Sequence, residues 1–360
     1  MSSLQIQPVS ETKKSDKIYG FDYLRAVCCL SVLVLHSNLP SLLNDHRLVK
    51  DILNFNFLFL SVPIFLQIAL VLFFLNREKK PSYFINRRLP KLLQIYLYWG
   101  LISHLFNLLI NHDTYLAYLR GLDGWGFIQY VINDGFSNPF YFFFSLLFTT
   151  CIAELLAICW EKTKSSLLLY TGMILVFLIL IAMPFSVLFI NRDWIFLAQV
   201  FNPLNFLPYI FSSFLLSQYL IKNEDHQFNN KNYYLQICIL LILFTGCAVL
   251  EWKYISNTIP WCFGSVDSLP AYTRISSVFG AWLITLISFQ VKSLPNFVIK
   301  SLSDLSLGIY CFHTFVGITF QMIFLHQHKY CSILDFLVML FGSVILTKIF
   351  KQIPILQDFV

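Results

Sequence analysis

"FDYLRAVCCLSVLVLH", Phe21–His36, is an apolar run of nearly membrane-helix length, yet it carries Asp22 and Arg25 near one end and His36 at the other. His36 stands eleven positions after Arg25. On a helix that spacing is about 20° past three full turns and roughly 16 Å of rise, so the two share a face. Asp22 falls on nearly the same side, close enough to pair with Arg25. A charge near the bilayer centre costs on the order of 3 kcal/mol on insertion scales, which favours turning this face toward protein or a wet cavity. The plainer reading is that Arg25 snorkels to lipid phosphates and His36 marks the far interface.

The rest of the chain has the same character. Of its 360 residues, 57% are hydrophobic, 18% aromatic and 12% charged, and the mean hydropathy is +0.68. These values exclude an ordinary water-soluble domain and indicate an integral membrane protein. Apolar runs lie near 18–37, 52–75, 92–110, 139–160, 166–190, 203–221, 233–250, 273–291, 302–325 and 331–350. A helix of about 20 apolar residues crosses a hydrocarbon core of roughly 30 Å. The expected fold is therefore all-α, a polytopic membrane bundle of about ten transmembrane helices with no soluble domain. A polar tail at 1–17 and a short tail at 351–360 flank the membrane domain at 18–350.

With the first tail inside, most of the 25 Lys and Arg fall on the inner side, which predicts both termini in the cytoplasm. The stretch "NREKKPSYFINRRLPK", Asn76–Lys91, dominates that asymmetry; a basic juxtamembrane segment also suits the anionic headgroups of membrane lipids. The net charge of +6 comes without a basic stripe interleaved with aromatics, so no nucleic-acid partner is expected. No small-residue cleavage site follows the first apolar run, which reads as a retained helix. Most of the nine cysteines lie inside apolar runs and read as packing residues, with Cys262 and Cys331 the one pair placed to bridge. The connections Asn111–Asn138 and Glu251–Tyr272 read as outer loops, and "HQHK", His326–Lys329, as a solvated loop rather than a metal site. Glu154 and His104 either line the same cavity as the first helix or make interhelical hydrogen bonds.

A second constellation lies in "SLGIYCFH", where Ser306, Tyr310 and His313 stand at i, i+4 and i+7. They share one face of a span that runs in the same direction as the first. Two inward-facing histidines on parallel helices would flank a common cavity. Imidazole has a pKa near 6.5 and serves as a general base, and a neighbouring Tyr or Ser fixes its tautomer. A lone histidine in an apolar helix also serves as a structural hydrogen-bonding group.

These segments resemble the integral-membrane acyltransferase 3 family, which modifies bacterial surface polysaccharides and related acceptors. "YGFDYLRAVCCLSVLVLH" is similar to the family's opening helix, "FINRRLPKLLQIYLYW" to its basic segment entering the third span, and "SLGIYCFH" to its late Ser, Tyr and His spacing. Lys91 stands where the family commonly has arginine and Gln94 where proline is usual. The resemblance implies an acyl-CoA donor, most commonly acetyl-CoA, at the inner face of a bacterial inner membrane. The acceptor would be a glycan or lipid-linked saccharide hydroxyl on the outer side. His36 takes the position of the family's catalytic histidine and Arg25 that of its arginine, with His313 a second catalytic candidate. Arg87, Arg88 and Lys91 would hold the CoA phosphates, supported elsewhere by Asp22, Ser306 and Tyr310; no metal is needed. Direct transfer and an acyl-histidine intermediate are both open. The rival class is a transporter or flippase of a lipid-linked glycan, which also uses many spans and buried polar groups; such proteins often carry inverted repeats, and none is visible here.

Overall fold

The computed structural model describes residues 17–37, 39–134, 140–189, 202–223, 231–254, 272, 274–324 and 332–360. Among them every regular element is helical, as the hydrocarbon core requires when each backbone N–H and C=O must be satisfied within its own segment. The helices are α1 Tyr19–His36, α2 Arg47–Ile52, α3 Ser61–Lys79, α4 Leu89–Ile110, α5 His112–Gly121, α6 Gly124–Asp134 and α7 Tyr141–Thr163. They continue with α8 Ser166–Phe189, α9 Leu207–Lys222, α10 Lys231–Tyr254, α11 Ile275–Ser288, α12 Phe297–Phe324 and α13 Ser332–Gln352.

Among the described residues, eight helical stretches are long and apolar enough to cross a membrane. Of the ten expected spans, 166–190 corresponds to the 24-residue helix α8, and 273–291 to a shorter apolar helix, Ile275–Ser288. At 14 residues α11 rises about 21 Å, less than a hydrocarbon core. It packs against α3 and α10 rather than standing alone.

Local sequence explains the helix boundaries. Pro90 and Pro208 sit at the first turns of α4 and α9, where a missing N–H is harmless and the fixed φ favours helix. Lys164 ends α7 in the left-handed conformation, φ 43° and ψ 29°, the usual way to close the last carbonyls. Its N–H bonds Trp160 O at 2.7 Å. Residues 111–134 are not the open connection that their Gly, Asp and Asn content suggests. They form α5 and α6, tied to α4 by a chain of polar rings and backbone. Tyr115 Oη meets His104 Nδ1 at 2.9 Å and Tyr130 Oη at 2.6 Å, and Tyr96 Oη donates to Val131 O at 2.8 Å.

At the centre stands α3, buried nearly all round through residues such as Leu66, Ile68, Leu70, Val71 and Phe73. Helices α1, α7, α9 and α11 surround it. Midway along it Gln67 is fully buried and satisfied: its amide donates to Ser212 at 2.7 Å and accepts from Thr285 at 3.0 Å. Without water, such interhelical bonds together with small-residue packing hold helices together. Small residues set the seam between α12 and α13. A Cβ on Gly308 would stand 2.3 Å from Thr347 Cγ2, and one on Gly342 2.8 Å from Val316 Cγ1. Helix α10, by contrast, exposes Leu235, Ile239, Leu241, Ile242 and Val249, the outer surface expected of a helix against lipid.

Candidate functional site

Helices α1 and α12 pack side by side in the parallel sense that the sequence predicts. Asp22 and Ser303 meet at one end, and His36 and His313 meet at the other. The first end is the basic one. Asp22, 3% exposed, is the hub there: it accepts from Ser303 Oγ at 3.0 Å and pairs with Lys17 at 3.0 Å and Lys300 at 3.7 Å. The expected Asp22–Arg25 pair does not form. Three cationic and hydroxyl donors converge on Asp22 from the start of α1 and from α12, and tertiary proximity wins over helical spacing. Arg25 is half-buried and makes no hydrogen bond or ion pair with any described residue. Only the more distant fields of Asp22 and Asp304 reach it. A guanidinium carries five donors in a planar fork, so Arg25 is equipped to receive an anion or a carbonyl.

At the other end of α1 the two imidazole rings lie edge to face, with centroids 4.8 Å apart and planes at 63°. His313 is fully buried. Its Nδ1 stands 2.6 Å from Tyr310 O, and a carbonyl can only accept, so Nδ1 carries the proton and Nε2 the lone pair. Thr314 Oγ1, at 3.4 Å, is placed to donate to that Nε2. The orienting group is thus the Tyr310 backbone, not the Tyr310 or Ser306 hydroxyl that the sequence suggests. Ser306 instead donates to Ser303 O at 2.8 Å. The Tyr310 ring lies 5.7 Å from the His313 ring and packs against Phe142 and Phe143. His36 differs from its neighbour: it is exposed and makes no hydrogen bond with any described residue. One histidine is therefore locked in place while the other keeps both ring nitrogens available.

Between Arg25 and His36 the shared face is packed. Cys28 and Val32 enter the main core, and Cys29 and Leu33 press on Leu305, Ile309 and Met339. These two ends of α1 are joined by small and medium apolar side chains rather than by a polar track.

The basic segment divides into three fates. Arg87 is exposed. Arg88 is half-buried, and its Nε and one Nη are shut from solvent without a hydrogen-bond partner. Lys91 is occupied by the far end of the chain: its Nζ donates to Asp358 O and lies 3.5 Å from the Asp358 carboxylate. Arg77, just before this segment, is 5% exposed and is held by Glu154 at 3.3 Å and by Glu161. Glu154 thus pairs with Arg77 and His104 bonds Tyr115, the interhelical contacts that stood as the alternative to a shared cavity. Composition gave no sign that residues 77 and 154 would meet.

A second buried cluster escaped the sequence reading at the opposite end. Glu251, 8% exposed, accepts from Ser276 N at 3.0 Å and from Ser276 Oγ. Arg274 lies over the Phe55 ring at 4.6 Å, and Tyr272 Oη bonds Tyr141 Oη at 2.8 Å. Cys262, Cys331 and the "HQHK" run lie outside the described residues, and no cluster of potential metal ligands occurs among the described ones.

A family model described as an acyltransferase domain matches residues 18–350. No curated protein and no solved structure matches the chain.

Proposed function

Because the chain belongs to the acyltransferase 3 family, we propose that this membrane acyltransferase moves an acetyl group from acetyl-CoA to a hydroxyl of a cell-surface glycan or its lipid-linked precursor. The donor approaches the basic end, which is the cytoplasmic face of a bacterial inner membrane in this reading, and the acceptor approaches the histidine end. The observation that carries the reading is the meeting of His36 and His313 at 4.8 Å, with His36 open and unpartnered among the described residues.

The chemistry follows from that asymmetry. His36 takes the proton of the acceptor hydroxyl as its oxygen attacks the thioester carbonyl. The new C–O bond forms, the C–S bond breaks, and the proton passes from the imidazolium to the departing sulfur. His313, its Nδ1 held by Tyr310 O, fixes the position of the His36 ring by edge-to-face contact. Positive groups at the basic end stabilise the anionic donor phosphates: Arg88 offers two buried donors without partners, Arg87 adds an exposed charge, and Arg25 stands half-buried on α1.

Membranes carrying the protein, supplied with labelled acetyl-CoA and the native glycan, test this. Wild type is expected to transfer label, with the mass increment on the glycan identifying the acyl group, and His36→Ala at equal abundance is expected to transfer none. Equal labelling by the two removes His36 from the mechanism.

A further inference from the structure

The segment that follows α13 does not trail away from the bundle. After a turn at Ile353–Leu356 it folds back, and Gln357–Phe359 forms a short 3-10 turn against α4 and α13. Lys91, Tyr98 and Trp99 of α4 hold it, Lys91 in part by donating to Asp358 O. The Asp358 carboxylate stands 3.5 Å from Lys91 Nζ. The Phe359 ring stacks on Tyr98 with centroids 4.1 Å apart and planes at 22°. Trp99 Nε1 donates to Phe359 O at 2.9 Å.

The direction of this groove matters. Trp99 is fully buried and packs its ring against Phe312, centroids 5.1 Å apart, and Phe315, 6.2 Å apart, on the helix that carries His313. The strip of α4 that the segment covers therefore runs from a lysine at the basic end to a tryptophan packed against the helix that carries His313. It bypasses the packed stretch between Arg25 and His36.

The groups that hold the segment are those a CoA thioester needs. Lys91 Nζ, which donates to Asp358 O and lies 3.5 Å from its carboxylate, is equipped to meet a phosphate, and Trp99 Nε1, which donates to Phe359 O, a pantetheine amide oxygen. The Phe359 ring fills the flat space beside Tyr98. Resting on the acyl-CoA reading above, we infer that the α4 groove of Lys91, Tyr98 and Trp99 is the binding track of the donor's phosphate and pantetheine, and that Asp358–Phe359 occupies it in competition with the donor. When a site is open only part of the time, apparent affinity falls by the open fraction. Releasing the segment should then tighten donor binding, while removing the groove's own groups should weaken it.

The test is the dissociation constant of CoA for the purified full-length protein in nanodiscs, measured with the melting temperature. Phe359→Ala and a variant shortened after Gln352 are expected to bind CoA at least threefold more tightly than wild type. Tyr98→Ala is expected to bind at least threefold more weakly. A synthetic peptide with the sequence of residues 353–360 is expected to compete with CoA on the shortened variant. Unchanged or weaker CoA binding by both tail variants, with melting within 2 °C of wild type, would overturn the competition. If they melt lower, the peptide decides: failure to displace CoA overturns it as well. CoA binding and acyl transfer that are normal in wild type while the tail variants show no change sink this inference alone. Absence of both in wild type sinks the acyl-CoA reading beneath it.

Discussion

Arg77→Met should lower stability through a single cause that the structure makes explicit. The Arg77 side chain is 7% exposed and Glu154 11%, while Glu161 is 48% exposed. Two interactions of different worth meet on one guanidinium. The contact with Glu161 lies in partly solvated surroundings and contributes under about 1 kcal/mol. The Glu154 pair is buried, and taking away its cation leaves a carboxylate in the bundle without compensation, which costs about 3–5 kcal/mol. At about 2 °C per kcal/mol for a chain of this size, the purified protein should melt about 6–10 °C lower. Arg77→Met combined with Glu154→Met removes the orphaned charge and should recover more than half of that loss, since replacing both partners of a buried pair with packed apolar groups is often close to neutral. Because Arg77 anchors the start of the segment carrying Arg87, Arg88 and Lys91, the single variant should also raise the donor KM more than the acceptor KM. Thermal melting followed by intrinsic fluorescence checks the first claim and steady-state kinetics the second. Melting within 2 °C of wild type for Arg77→Met, or a double variant no more stable than the single, would refute the reasoning.

The remaining expectations are shorter. His313→Ala should lower kcat by about 10²-fold or more, the lower range for a positioned acid–base group, with both KM values within twofold; a change confined to KM would show that His313 only shapes binding. Arg25→Gln and the pair Arg88→Gln with Lys91→Gln should raise the donor KM by more than the acceptor KM, whereas equal rises in the two would mark those residues as structural. Gly308→Ala places a methyl 2.3 Å from Thr347 Cγ2 and should cost about 1–3 kcal/mol as overpacking; Thr347→Ala added to it should restore most of the melting temperature, and no recovery would show that the seam is not the cause.

The sequence made legible what depends on period. The apolar runs located the spans to within a few residues, because a bilayer demands long apolar helices whatever their neighbours. The meeting of His36 and His313 was also within reach, since each stands a similar distance along its helix, His36 in Tyr19–His36 and His313 in Phe297–Phe324, and the two helices run the same way. Partnerships that depend on tertiary approach were not. Asp22 turns from Arg25 to Lys17, Ser303 and Lys300; Arg77 finds Glu154 across a different helix; and "LQDFV", read only as part of a short tail, sets Phe359 against Tyr98 and Trp99. Helices α5 and α6 were hidden by Gly121, Asp123 and Gly124, which read as a loop but form only the short break between two amphipathic turns. The resemblance to a family supplied roles for Arg25 and His36; it did not disclose that one histidine is locked by a backbone carbonyl and the other left free.

The close seam between α12 and α13 has a mechanical consequence. With Gly308 against Thr347, Gly317 against Met339 and Gly342 against Val316, neither helix can slide or roll without collision, so the hairpin moves as one stiff paddle carrying His313. Any movement of His313 relative to its neighbours must then come from the edges of that pair. The edge that faces α4 is a seam of rings, Trp99 on Phe312 and Phe106 on Phe315, which would have to part for the pair to swing.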